Sequence, residues 1–222
     1  YGITMVNVAN NHILEHGNDA AFDSVVLLRQ AGIDVVGCGD GVLFDKEIGV
    51  TQKKISGINF CFFSICLIND KYAYNGGGGI DKLLKKISEI IQEDQGFIVV
   101  SLHWGNEYVD RPSTEQMRLA EQLFDAGVDI IVGHHPHVYQ GTRLMNGKLI
   151  IYSLGNFIFG DFYRDTDWSA ILSVTIENMK ITSYELLPIF SDEKHRPVLA
   201  SDEIKKNISL EIQRRNHLLD IN

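Results

Sequence analysis

Five of the eight histidines fall in three short stretches: Asn11-His12, His103-Trp104 and Gly133-His134-His135-Pro136-His137. A lone loop histidine is ordinarily just a hydrogen-bonded loop residue. Three imidazoles within four residues are a different case, because they repel on protonation and gain little from packing. A divalent cation removes that cost by taking neutral ring nitrogens as ligands. The His-x-His spacing of His135 and His137 suits a strand-like turn feeding two neighbouring ions. The chemistry to expect is metal-assisted.

Each of these stretches closes an apolar strand. Ile3 to Val8 reads as a core strand ending at Asn10-Asn11-His12, and Phe97 to Leu102 runs straight into His103. Val128 to Val132 leads into the histidine cluster. Ligands of parallel α/β sheets bind beyond the carboxyl ends of the strands, so loops far apart in sequence are expected to converge. Helical patterns separate the strands. Asp19 to Gln30 carries Phe22, Val25, Val26 and Arg29 at helical spacing and stops at Gly32. Ile80, Leu83, Leu84, Ile87, Ile90 and Ile91 form an apolar stripe. Ser113 and Gln116 form a capping-box pattern for a helix that stops at Gly127.

One hairpin falls among the βα units, and after His137 the pattern changes to hairpins. Lys46 to Ser56 and Ile58 to Ile65 read as one hairpin around Gly57. Asn146-Gly147 signals a type I′ turn between Thr142 to Leu144 and Leu149 to Ile151. Strands are expected over Ala170 to Ile176 and Ile181 to Pro188, and a tail helix over 201–222, with Lys205, Lys206, Arg214 and Arg215 on a solvated face. With βα units first and hairpins later, the fold class is α/β with mixed sheets, expected as a single domain over 1–222.

Composition bounds the alternatives. The chain has 222 residues, 45% hydrophobic and 22% charged, as ordinary globular domains have. Its net charge of −9 argues against general nucleic-acid binding. An anionic substrate remains compatible, since a bound metal inverts the local field. Cys38, Cys61 and Cys66 lack a disulfide framework spacing and read as buried small hydrophobes. No run approaches the ~18 apolar residues of a membrane helix. Gly76 to Gly79 lack the Lys-Ser/Thr of a P-loop and read as a flexible loop. Asp40, in Gly37-Cys38-Gly39-Asp40-Gly41, is an alternative ligand. Phe157, Phe159, Phe162, Tyr163 and Trp168 read as core or rim.

Four motifs occur in order: Asn10-Asn11-His12-Ile13-Leu14-Glu15-His16-Gly17, His103-Trp104-Gly105-Asn106-Glu107-Tyr108, Gly133-His134-His135-Pro136-His137 and Tyr152-Ser153-Leu154-Gly155-Asn156-Phe157. Together they resemble the CapA/PgsA family of poly-γ-glutamate capsule biosynthesis proteins, from the first residues to about Ala200. That family looks like a branch of the calcineurin-like metallophosphatases, which implies a β-sandwich flanked by helices.

The resemblance implies that Asn11, His103 and His135 ligate one divalent metal (Mn, Fe or Zn) and that His137 serves a second. His12 would be the general acid, with Glu15 in place of the usual Asp to orient it. His134, Glu107 and Asn156 would line the site. The superfamily's Asp-x-His and bridging Asp precede the Asn-His motif, whereas the nine residues before Asn10 include no acid. Two explanations stay open: a first segment lies upstream of Tyr1, which the strand-like start favours, or the standard two-metal centre does not assemble. The implied function is hydrolysis of a phosphoester or an anionic polymer, one or two metals serving. The alternative is a non-catalytic polyanion-binding or scaffolding part of the capsule machinery. Other capsule-synthesis proteins would be partners, at the outer face of a bacterial membrane reached through an N-terminal anchor.

Overall fold

Two short strands, β1 (Met5–Asn7) and β2 (Asp34–Val36), pair in parallel across the intervening helix α1 (Gly17–Gln30). The computed structural model describes residues 2–39, 48–93, 96–159 and 166–220. Asp40, Gly41, Lys46, Phe162 and Tyr163 lie outside the described residues. The chain divides into two compact units: Tyr1–Trp104 with Glu121–Ile130, and Gly105–Ala120 with Ile131–Asn222.

In the first unit, Val8, Val25, Val35 and Cys38 make a small core, with Ile13 packed against it. Ile13 thereby anchors the Asn-His loop from below. The hairpin β3 (Thr51–Ile55) and β4 (Ile58–Cys66) turns through Ser56 and Gly57, both at positive φ. β3 is shorter than the hydrophobic pattern suggested. β4 then pairs in parallel with β5 (Phe97–His103), so antiparallel and parallel ladders share one sheet. Helix α2 (Gly79–Gln92) buries Leu83, Ile87 and Ile90 from its apolar stripe. In α1 the buried residues are Ala21 and Val25, whereas Phe22 is 49% exposed. All three cysteines are buried and none forms a disulfide with another.

The capping box of α3 (Thr114–Asp125) forms as its residues dictate. Gln116 N donates to Ser113 Oγ (3.2 Å), and Ser113 N donates to Gln116 Oε1 (3.0 Å). In the second unit β6 (Ile130–His134) neighbours β8 (Lys148–Ile151), which pairs with β7 (Thr142–Met145). Asn146 (φ 52°) and Gly147 (φ 77°) make the expected left-handed two-residue turn between them. β9 (Trp168–Glu177), β10 (Lys180–Ser191) and β11 (Pro197–Leu199) form an antiparallel sheet.

Tyr139, Ile151, Trp168 and Ala170 join Ile208 and Ile212 of helix α4 (Asp202–His217) in one core cluster. Arg215 is 1% exposed, which corrects the expectation of a solvated basic face. Lys205, Lys206 and Arg214 are exposed, as expected. The fold is mixed α/β, with a multi-strand mixed sheet flanked by helices. Among the described residues no helix is long and apolar enough to cross a membrane.

Candidate metal centre

His103 owes its direction to strand alternation. Along β5, Ile98, Val100 and Leu102 are buried on one face, which leaves Val99, Ser101 and His103 on the other. The parallel register sets Ser64 beside Ser101 and Cys66 beside His103. On that polar face Asn7 gathers three contacts. Its Nδ2 donates to Ser101 Oγ (3.0 Å), and its Oδ1 accepts from Ser64 Oγ (2.6 Å) and from Ala9 N (2.8 Å). Gly37 closes on the same place, where an added Cβ would lie 2.8 Å from the Ala9 side chain. The chain leaving β1 is thus tightly seated.

Asn10 Oδ1 then accepts from His12 N (2.8 Å), and Glu15 N donates to His12 O (2.9 Å), which curls the loop. Asn11, 5% exposed, brings its Oδ1 within 2.8 Å of His103 Nε2. Two donors held about 2.1 Å from one ion at a right angle sit roughly 3 Å apart. The observed spacing therefore suits a hydrogen bond and a shared ion equally. His12 Nδ1 lies 3.3 Å from Glu15 Oε1, with both side chains largely exposed.

In the second unit the histidines are aimed by backbone conformation. His135 (φ 97°), His137 (φ 61°) and Tyr108 (φ 60°) all occupy the left-handed region, which costs a non-glycine residue energy and persists only where the surroundings enforce it. Tyr108 N donates to Pro136 O (2.8 Å), joining the two loops. Glu107, His135 and His137 consequently offer three ligand atoms that all lie within 4.8 Å of one another.

The His137 ring contacts Tyr108, stacked at 5.7 Å between centroids, and Phe159, tilted at 4.7 Å. Its Nδ1 meets Asn156 Oδ1 at 2.8 Å. With Nδ1–H donating there, the lone pair lies on Nε2, ready for a ligand bond. Asn156 is held by a turn at Gly155 (φ 79°), where a Cβ would meet Trp168 O at 3.1 Å.

A carboxylate with two imidazoles is the donor chemistry of Mn, Fe and Zn sites. Donors on one ion are roughly 3–4 Å apart, so the set closes with a small swing of the exposed Glu107 side chain. His134 does not join this group. It ends β6, and burial pushes its imidazole down to about 4, which keeps it neutral at physiological pH. A cavity of about 650 Å³ in the first unit, lined by Arg29, Asp34, Thr51 and Gln52 among others, contains none of these donors. Donor chemistry, not cavity size, marks the candidate site.

The structure thus brings Asn11 to His103 and Glu15 to His12 in one unit, and Glu107, His135, His137 and Asn156 together in the other. Sequence reasoning missed Asn7, Ser64 and Ser101. A polar residue within an apolar strand was the available signal, visible at Ser101 inside Phe97–His103. It also did not assign Tyr108 and Phe159 to His137, since ring stacking leaves no trace in spacing.

Residues 1–161 match the family described as "Bacterial capsule synthesis protein PGA_cap". The chain belongs to this family. It is similar to the capsule biosynthesis protein CapA of Bacillus anthracis, 33% identical over 196 residues, which cover 85% of this chain and 48% of that protein. The PGA biosynthesis protein CapA of Bacillus subtilis is 31% identical over 210 residues, covering 91% of this chain and 55% of that protein. The chain therefore spans about half the length of these curated relatives. A crystal structure of a novel phosphatase from Mycoplasma pneumoniae superposes with a TM-score of 0.51 at 13% identity, over 78% of this chain and 69% of that one. At that identity the likeness concerns the fold alone.

Proposed function

We propose that this capsule-synthesis family member is a metal-dependent hydrolase with a phosphoesterase-type site. The observation that carries this reading is the grouping of Glu107, His135 and His137, the two histidines being on strained backbone. Strain of this kind costs on the order of 1–3 kcal/mol per residue, and aiming two imidazoles at one point is a use that offsets it. In the proposal Glu107, His135 and His137 hold a divalent ion of the Mn, Fe or Zn class in the second unit, and Asn11 and His103 serve as ligands within the first unit. One or two ions are involved. The ion supplies positive charge that polarises a phosphoryl or acyl oxygen.

The chain's own residues do the rest. Asn156 fixes the His137 tautomer through Nδ1. Glu15, with Oε1 3.3 Å from His12 Nδ1, orients the imidazole. His12 then donates a proton from Nε2 to the leaving oxygen as general acid. The substrate class is an anionic polymer or a phosphoester. By analogy with the capsule and PGA biosynthesis proteins named above, partners are other capsule-synthesis proteins and the site of action is the cell envelope.

The test is metal analysis of protein purified without added metal, together with hydrolysis of a generic phosphodiester. Near-stoichiometric Mn, Fe or Zn is expected, with metal and activity both lost in His135→Ala. Less than about a tenth of an equivalent, unchanged on adding these ions, would sink the reading.

A further inference from the structure

Helix α4 lies beyond the residues matched by the family, yet three consecutive residues on it reach the loops that carry the second donor set. Arg214 donates to Asp110 Oδ2 (2.8 Å) and to Glu211 Oε2 (2.9 Å). Arg215 Nη1 donates to the carbonyl of Tyr139 (2.7 Å), and its guanidinium carbon lies 4.9 Å from the centre of the Trp168 ring. Asn216 Oδ1 accepts from Thr142 N (2.7 Å) and lies 2.7 Å from Tyr139 Oη. Tyr139 follows His137 by two residues, and Asp110 follows Glu107 by three.

The Arg215 side chain is fully buried, with Nε 3.7 Å from Glu211 Oε2 and 4.0 Å from Asp110 Oδ2. A buried guanidinium is a costly way to dock a helix, since an apolar side chain of similar volume serves packing as well or better. What an apolar residue cannot do is hold a carbonyl and face a carboxylate on two different loops. The same two loops are tied by Gln140, 0% exposed, whose Nε2 donates to Val109 O (2.7 Å) and lies 3.3 Å from Arg111 O.

We propose that Arg215 is a positioning residue. Through Tyr139 O and Asp110 it fixes the loops bearing His135, His137 and Glu107, and so sets the divalent-metal affinity of that donor set. This rests on the metal reading above, and the experiment separates the two. Titration of the full chain with Zn²⁺ alone reads affinity. Imidazole ¹⁵N–¹H spectra of the metal-free chain read where the His135 and His137 rings sit.

At a temperature where each variant is fully folded, Arg215→Met lowers Zn²⁺ affinity about tenfold, the lower end of what outer partners of metal ligands cost. It also moves both ring signals, and Arg215→Lys recovers part of each effect. Arg214→Ala changes an exposed residue and acts in the same direction, about threefold, so the test survives if Arg215→Met does not fold. A parent chain that takes up no Zn²⁺ defeats the metal reading, while its ring signals still report on positioning. Ring signals and affinity unchanged in whichever of the two variants folds overturn the proposal, however far the melting temperature drops.

Discussion

The two donor sets are pre-organised by opposite means. Asn11 and His103 sit on ordinary backbone and are aimed by neutral polar side chains: Asn7 with Ser64 and Ser101, and Asn10 with its own loop. In the second set His137 has a side-chain partner in Asn156, but backbone conformation is the distinctive feature. The geometry of Glu107, His135 and His137 comes from three left-handed residues and from loops tied together at Tyr108, Gln140 and helix α4. A side-chain network adds its hydrogen bonds to stability, whereas a strained loop draws on stability held elsewhere. Substitutions in the two units should therefore have opposite signs.

The largest effect is expected in the first unit. Asn7→Leu keeps the volume but leaves Ser64 Oγ, Ser101 Oγ and Ala9 N without their amide partner. An unsatisfied buried polar group costs about 1–3 kcal/mol, and partial relaxation should leave a net loss of about 2–3 kcal/mol. Urea denaturation reads this directly. A loss below about 0.5 kcal/mol would mean that the network does not hold the Asn-His loop.

In the second unit the sign reverses. His135→Gly removes a ligand and relieves a φ of 97° that glycine adopts without steric cost. Metal-free protein should be stabilised by about 1 kcal/mol while metal uptake is lost. The same urea experiment without metal checks it. A destabilised His135→Gly would show that the ring packs more than the backbone strains.

Elements whose residues act locally were legible in the sequence. The capping box of α3, the Asn146-Gly147 turn and the stripe of α2 each depend on neighbours within a few positions, and each formed as read. The strand-end position of His103 was legible for the same reason. β11 was not, because a three-residue strand carries no periodicity and forms only because β10 offers it an edge. Arg215 misled for a related cause. In sequence it sits in a basic run, and its burial depends on a carbonyl 76 residues away. The pairing of Asn156 with His137 was likewise invisible, although each residue had been singled out separately.

The smallest effect concerns a turn that copies the Asn10 device with a charge in place of an amide. Between β10 and β11, Asp192 Oδ1 accepts from Lys194 N and Arg196 N, both at 2.9 Å, and Oδ2 accepts from Arg196 Nε (2.8 Å) and Nη2 (2.6 Å). The Arg196 side chain, more than the backbone donors, holds the Asp192 carboxyl down to about 2. An unfolded aspartate titrates near 3.9, so between these values the unfolded chain binds more protons than the folded one. The carboxylate's contribution is therefore complete above about pH 4 and is lost as pH falls through about 2. Asp192→Asn should lower the melting temperature slightly at pH 7, the pair being exposed and screened. That deficit should shrink steadily between pH 4 and pH 2 in calorimetric scans. A deficit that stays constant over this range would assign the holding to hydrogen-bond geometry alone, as in the neutral Asn10 loop, and charge would then play no part in shaping either kind of turn.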